Sequence, residues 1–520
     1  MSDVTITFLV LGAVVVLFVT NRAPVEIVAV GAALSLYFTG VLNVEQTFTG
    51  FGDPVIIFIA TLFVVSEGLD AAGVTTWMGQ ELIARAGASR TRLVVLVMSL
   101  AAALTALINP NGSTAALLPV VVVMALRLGR PPSQLLLPLA FAAHPGSLLA
   151  MTGSVVNVIV SDASAESGEG GFGYFEFALV GVPLTLGCIA IVVLFGERLL
   201  PVRRPRATTA NFSEHARTLV RQYQLDPEVS PFTRTHGIAE LVIPPRSGLI
   251  GETVFPGMVS ESGDLMVLAV QRGGENQGEK ETVLAPGDTV LLRGTWPDLQ
   301  VRLQKPDVLA VHPPYLIRRQ TVPLGRRALY AIAVLAGMVI LLATGGTAPA
   351  VASTIAACAL ILLGVLSVKP ALRAISWSTV VLVGGMIPLS HAMITTGAAE
   401  EIADLLVEAV GEAGPYALLA GLFVLTVAFG QMISNTATAL IVAPIALAAG
   451  RELNVSVQPL LMTVAVAASA SFLTPVATAA NLMVMEPGGY RFNDYWKLGL
   501  PMTLWFFLVT VALIPVIWRF

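Results

Sequence analysis

The chain has 520 residues, 55% of them hydrophobic and only 12% charged, with a formal net charge of −4 and a mean hydropathy of +0.81. A soluble domain carries roughly 25% charged residues, so most of this chain is built for lipid, and a charge so near balance argues for neither nucleic acid nor an acidic partner. The two cysteines, Cys188 and Cys358, fall in apolar stretches and read as packing residues rather than a disulfide or metal pair.

A bilayer span takes about 20 mainly apolar residues. Such stretches recur at 4–20, 24–42, 54–70, 134–160, 176–197, 328–343, 348–366, 376–397, 458–485 and 498–518, which excludes a single-span anchor. The first lacks a basic leader and runs straight into the second, so it reads as a permanent helix and not a signal peptide. Between Arg90/Arg92 and Arg127/Arg130 lies an apolar stretch too long for one helix, interrupted at Asn109-Pro110-Asn111-Gly112. With basic residues at both mouths it reads as a re-entrant hairpin over 91–128 that opens to the cytoplasm.

After Arg198, charge and proline density rise and short alternating runs replace the long apolar ones, so 201–325 reads as a soluble insert. Residues 238–243, 265–271 and 289–293 read as strands, punctuated by Pro244-Pro245, Gly273-Gly274 and Pro286-Gly287-Asp288. Arg198, Arg203, Arg204 and Arg206 precede the insert and Arg318, Arg319, Arg326 and Arg327 follow it, which by the positive-inside rule makes it cytoplasmic. Counting spans back places Arg22 inside and Glu45, Asp53, Asp162, Glu166 and Glu169 outside. A second hairpin, over 415–450, is interrupted at Ser434-Asn435-Thr436; its mouths carry Glu408, Glu412 and the mixed Arg451-Glu452, so it opens outward.

The chain also repeats itself. Ile108-Asn109-Pro110-Asn111-Gly112-Ser113, with Pro119 beyond, aligns without gaps on Ile433-Ser434-Asn435-Thr436-Ala437-Thr438 with Pro444. Ser147 through Gly153-Ser154-Val155-Val156-Asn157 aligns on Ser471 through Ala477-Thr478-Ala479-Ala480-Asn481. Five spans and one hairpin per half is an odd number of crossings, so the halves lie oppositely in the membrane, the pattern of secondary transporters. The expected fold is therefore a polytopic α-helical membrane protein of the inverted-repeat transporter class, with two re-entrant hairpins and a small cytoplasmic insert. Its parts are repeat 1 over 1–200, the insert over 201–325 and repeat 2 over 326–520.

Irregular backbone at membrane depth needs partners for its polar groups. Helix N-termini at such breaks offer N–H groups and a positive dipole end to an anion, while carbonyls and Asn oxygens suit Na⁺. No Lys or Arg occurs in any of the four polar breaks, so an anionic substrate has to be held by N–H and hydroxyl donors, with a cotransported cation offsetting its charge. A proton route has candidates in Glu67 and His391, equivalent positions that each follow a serine, and in His144 near the first broken helix. Packing hydrogen bonds between helices account for these three as well.

Two resemblances sharpen the reading. AELVIPPRSGLIGETV, LMVLAVQRGG and LAPGDTVLLRGTWPDL, over 230–305, resemble a TrkA-C domain, the C-terminal module of regulators of potassium conductance. That implies a small α/β unit, either a passive spacer or dimerisation device or a ligand sensor; no residue names the ligand. Ser434-Asn435-Thr436-Ala437-Thr438-Ala439 and the segment SFLTPVATAANLMVMEPGGYRFNDYWKLG from Ser471 resemble the divalent anion:sodium symporter family, solute carrier family 13. The resemblance implies a homodimer, elevator-type movement, and import of a small anion such as sulfate or a dicarboxylate with Na⁺. It implies substrate contacts from Ser434, Asn435, Thr436 and Thr478, and from Asn111, Ser113 and Ser154 in the first half. Sodium would be held by Asn435, Thr438 and the Ala477 carbonyl, and in the first half by Asn109, Asn111 and Gly153.

The first half departs from the family pattern, because Pro110 stands where an Asn ligand is expected. Reduced stoichiometry, a site rebuilt around Asn111, and H⁺ in place of Na⁺ all follow as alternatives. Arsenite efflux and Na⁺/H⁺ antiport belong to the same superfamily and stay open beside anion uptake, as does a membrane sensor. The chain has no constellation of an enzyme and no filter-like TVGYG segment of a channel, although TrkA-C modules gate channels elsewhere. The expected location is the inner (plasma) membrane.

Overall fold

The computed structural model describes residues 2–20, 22–74, 77–78, 81, 89–203, 236–259, 265–273, 275–278, 280–295, 299, 309–310, 326–344, 346–410 and 414–520. The arginines at 204, 206, 318 and 319, together with Gly274 and Glu412, lie outside them. The chain divides into two compact units, Met1–Thr208 with Arg326–Phe520, and Thr209–Gly325.

The first unit is helical. Its first part runs α1 (Asp3–Thr20), α2 (Val25–Phe38), α3 (Val44–Phe48), α4 (Pro54–Ala71), α5 (Arg90–Leu107), α6 (Pro110–Arg127), α7 (Leu136–Gly146), α8 (Val155–Glu166) and α9 (Ala178–Leu199). The second part runs α10 (Arg326–Ala343), α11 (Pro349–Leu362), α12 (Val368–Ala374), α13 (Trp377–Thr396), α14 (Ala398–Val410), α15 (Pro415–Gly430), α16 (Asn435–Glu452), α17 (Val457–Ser469), α18 (Ala479–Gly488) and α19 (Tyr495–Ile517). Among the described residues six helical stretches are long and apolar enough to cross a membrane.

Local chemistry sets the helix starts. Asn43 and Gln46 form a capping box at α3. Asp53 accepts from the Val55 N–H with Pro54 at the first helical position of α4. Packing sorts the helices into two sets. α2 lies against α13 and α4 against α11, so these long helices pair across the halves. The interrupted helices form the other set: α7 packs on α5, α6 and α18, and α17 packs on α15, α16 and α8. α9 and α19 pack on each other and flank this second set.

Of the two cysteines, Cys188 is buried as expected of a packing residue, whereas Cys358 stands on an exposed face of α11. α14 lies outside every span that the sequence marks. It begins after Gly397, which takes a left-handed backbone (φ 86°), and ends at Val410.

The second unit, where described, is an antiparallel sheet. β1 (His236–Val242), β2 (Thr253–Val254), β3 (Leu265–Arg272), β4 (Glu275–Asn276), β5 (Thr282–Val283), β6 (Thr289–Thr295) and β7 (Leu309–Ala310) form a five-stranded sheet, β4-β3-β6-β1-β7, and a β2-β5 pair. Alternation along the strands, with a register shift between Val267 and Ala269 of β3, buries Leu241, Val267, Val270, Val290 and Leu292 in one core. Arg272 donates to both oxygens of Asp288, at 2.8 and 2.7 Å, and the Ala285 N–H reaches the same carboxylate at 2.8 Å. The Arg272 hydrogen bond holds the Asp288 carboxyl below its ordinary range, with burial opposing. Its stabilisation is thus present above the ordinary carboxylate pKa and is lost as pH falls through the lowered one. The remainder of the expected α/β unit lies outside the described residues.

Candidate functional site

Both long spans that the sequence marks as interrupted are broken, and the breaks are built alike. α7 ends at Gly146, the chain turns through Met151–Gly153, and α8 restarts with Ser154 as its cap, accepting from the Val156 N–H at 3.2 Å. α17 ends at Ser469 and α18 restarts with Thr478 as its cap, accepting from the Asn481 N–H at 3.3 Å. The turn of each break has carbonyls that no helix pairs, and an asparagine three residues past each cap takes up two of them. Asn157 Nδ2 donates to Ser147 O and Ala150 O at 2.7 and 3.0 Å. Asn481 Nδ2 donates to Ser471 O and Thr474 O at 2.7 and 3.1 Å, the same two offsets along the chain.

Each break also leans on a glycine. A Cβ on Gly181 of α9 would sit 2.2 Å from Leu148 O, and one on Gly499 of α19 would sit 2.4 Å from Phe472 O. Both distances are far inside van der Waals contact, so only glycine lets the last helix of each half press on the turn of the break.

The hairpin tips differ more. In the second, Ser434 caps α16, its Oγ accepting from the Ala437 N–H. The N–H groups of Asn435 and Thr436, first and second in the helix, have no intrahelical acceptor and sit at the positive dipole end. Asn435 Oδ1 accepts from Ser471 Oγ at 2.8 Å, so the tip is tied to its own break. Gln431 adds a clamp, donating to Ala470 O and accepting from the Leu473 N–H, each at 3.1 Å. The Thr438 hydroxyl donates to Ser434 O at 3.1 Å and is buried.

In the first tip, Pro110 opens α6, where its fixed φ and missing N–H suit the first helical turn. It supplies neither a donor nor a side-chain ligand. Asn109 Oδ1 accepts from the Gly112 N–H at 2.8 Å. The Ser113 hydroxyl is buried, pairing with Thr105 Oγ1 at 2.5 Å and reaching Pro110 O at 3.2 Å. Asn111 crosses to the other half, its Oδ1 accepting from the Ala480 N–H of α18 at 3.1 Å.

Asn435 and Ser471 are thus brought together, and so are Asn111 and the start of α18 beside Thr478. Gly153 is buried, Ser154 and Thr478 half-buried, Ala477 buried. The three proton candidates have different surroundings. His144 is buried with Nε2 3.1 Å from Asn481 Oδ1. His391 is exposed, Nε2 3.5 Å from Gln46 Nε2. Glu67 is half-buried on α4, next to Gly68, where that helix presses on Leu360.

The asparagines at 157 and 481 carry no role in the sequence reading, although their pairing in the internal alignment is a signal that could have found them. Gln431 gives no such signal, since its counterpart is Ala106. A solvent-open cavity of about 70 Å³ between α4, α8, α13 and α16 gathers Ser390 with Asp53, Asp162 and Glu166, three carboxylates that the sequence places only in outer loops.

Comparison with known proteins bears on this arrangement. The sequence profile of the citrate transporter family matches residues 15–450 and, in a second alignment, 418–520. The uncharacterised transporter YfbS of Escherichia coli is 30% identical, with 98% of each chain covered. Probable sodium/sulfate cotransporter 3 of Chlamydomonas reinhardtii is 26% identical over 56% of this chain and 33% of its own length. The crystal structure of the YdaH transporter of Alcanivorax borkumensis shares the fold with a TM-score of 0.50, at 16% identity, over 93% of this chain and 88% of that one.

Proposed function

Because this chain belongs to the citrate transporter family, a multi-pass secondary transporter type and not an enzyme family, we propose that it imports a small anion of the sulfate or dicarboxylate class with Na⁺. The observation that carries the reading is the second tip. The N–H groups of Asn435 and Thr436 begin α16 without an intrahelical acceptor, beside the Asn435 amide, which is oriented by Ser471. N–H donors at a helix start suit an anion, and amide and backbone oxygens suit Na⁺. With no Lys or Arg in any break, the cation offsets the anion's charge. Ser434, Asn435, Thr436 and Thr478 form the substrate set, and Asn435, Thr438 and Ala477 the sodium set. The sodium and sulfate in the names of the Chlamydomonas relatives support these as first probes.

The same proposal has the insert facing the cytoplasm as a TrkA-C-like module, a homodimer in the inner membrane, and the hairpins and broken helices moving as one body against α2, α4, α11 and α13. The packing of α2 on α13 and of α4 on α11 supports the last point, since it builds a frame from both halves. A second reading, coupling to H⁺ instead of Na⁺, is favoured by Pro110, which removes a ligand from the first tip.

Proteoliposome uptake tests the readings. Labelled sulfate, succinate and citrate are offered with Na⁺ and pH gradients imposed separately. Accumulation driven by Na⁺ alone supports the first reading, and accumulation driven by the pH gradient alone supports the second. K⁺ flux without accumulation of any anion under either gradient would replace both with a channel.

A further inference from the structure

We infer that His144 is a positioning residue of the second-half site: standing in the first half, it fixes Asn481 and, through it, the break that presents Asn435. Both protons of Asn481 Nδ2 are committed, to Ser471 O and Thr474 O, which fixes the orientation of the amide and leaves Oδ1 as a buried acceptor. An unpaired buried acceptor loses its hydration with nothing to replace it. His144 Nε2 fills the need at 3.1 Å, so Nε2 carries the hydrogen. The neutral Nε2–H form and the imidazolium both present that hydrogen, so the contact does not depend on the charge of the ring.

The imidazole is held by its surroundings. It packs on Phe472 with ring centroids 5.1 Å apart and on Phe141 at 6.3 Å. The titratable group beside this pair is Tyr495 of α19, whose hydroxyl donates to Asn481 O at 2.7 Å. No carboxylate is hydrogen-bonded to His144 among the described residues.

The first break provides the contrast that gives this bond a purpose. Asn157 ties the same two carbonyls in the same way, yet its buried Oδ1 has no hydrogen-bond partner among the described residues. The position equivalent to His144 is Ala468 on α17, the helix that packs against α8. A break of this type therefore forms without the imidazole. What the second break has in addition is Ser471 Oγ bonded to Asn435 Oδ1 at the hairpin tip, and His144 anchors the residue that holds Ser471.

The transport assay presupposes the anion-uptake reading, so the test has an arm free of it. Full-length wild type, His144→Ala and His144→Gln are purified into nanodiscs and compared by hydrogen–deuterium exchange over 470–482. Glutamine keeps an N–H donor and cannot titrate. Exchange there should rise about tenfold or more in His144→Ala and stay within about threefold of wild type in His144→Gln. In proteoliposomes the Na⁺ concentration for half-maximal uptake should rise about tenfold in His144→Ala with the maximal rate changing less. His144→Gln should restore it, with the pH profile of wild type. If His144→Ala does not fold, His144→Leu fills the ring volume without a donor and takes its place. Wild-type exchange in the donor-free variant overturns the proposal, as does loss of pH-driven uptake in His144→Gln, which would make His144 a proton carrier. If wild type accumulates no anion, the uptake reading fails and the exchange result alone decides the role of His144.

Discussion

The break between α7 and α8 and the break between α17 and α18 share a frame and differ in what is attached to it. Each has an asparagine tied to two carbonyls and a glycine of the last helix pressed against the turn. Among the described residues, only the second asparagine is held by a histidine from the other half, and only the second break bonds to the side chain of its own hairpin tip. Unpaired carbonyls at membrane depth cost several kcal/mol each, so two copies of one helix break have to keep the frame. The side chains around it are under no such demand, and they are where one half can be specialised for a ligand.

The largest effect expected from this contrast is on Asn481. Asn481→Ala removes both carbonyl caps and leaves His144 without its acceptor, for a loss on the order of 3 kcal/mol or more. Asn157→Ala removes only the caps, on the order of 2 kcal/mol. Thermal unfolding of the purified variants should therefore rank Asn481→Ala well below Asn157→Ala. Equal losses would mean that the histidine bond adds nothing and that the halves are equivalent after all.

The tips come next. Hydrogen bonds to charged groups are worth about 1.5–3 kcal/mol, and 1.36 kcal/mol is a factor of ten, so Asn435→Ala should lower uptake efficiency roughly 100-fold. Asn111→Ala should cost nearer tenfold, because Pro110 already leaves the first tip without the donor and side-chain ligand that the second tip has at Asn435. Initial-rate uptake across a Na⁺ series separates the two. An Asn435→Ala protein with unchanged affinity and coupling would remove the site from the second tip.

How much of this the sequence discloses depends on the range of the interaction. The interruptions at Asn109-Pro110 and Ser434-Asn435 are legible because Pro, Asn and Ser stand out in apolar runs, and the repeat is legible because its spacing is local. The bond of His144 to Asn481 spans 337 positions, so neither periodicity nor spacing points to it. Gln431 carries no repeat signal because its counterpart is an alanine. Asp53, Asp162 and Glu166 read in the sequence as separate loop residues, and the packing of α4 and α8 brings them to one cavity.

A smaller difference is expected at the clasps that join each break to the opposite half. The buried Tyr490 hydroxyl accepts from the Leu137 N–H at 2.9 Å and donates to Ser133 O. Exposed Glu169 accepts from Ser456 Oγ at 2.6 Å and from the Val457 N–H at 3.0 Å. Tyr490→Phe strands two buried backbone groups, at about 2–3 kcal/mol. Glu169→Gln keeps an acceptor in water and should cost under about 1 kcal/mol. Denaturation of the two variants in the same detergent checks the ranking. A reversal would place the stronger connection between halves on the Glu169 side.

The smallest change is expected from Pro110→Asn, and it bears most directly on whether the halves differ in coupling. Asparagine at this position restores an N–H and an amide where the second tip has Asn435, while giving up the fixed φ that proline brings to the start of α6. The helix should lose no more than about 1 kcal/mol, because the first turn of a helix tolerates asparagine. If the missing ligand limits the first half, the Na⁺ dependence of uptake should become steeper, with a higher Hill coefficient and little change in maximal rate. A dependence identical to wild type would mean that Asn111, already bound across the halves to Ala480, has taken the first tip out of cation binding whatever residue stands at position 110.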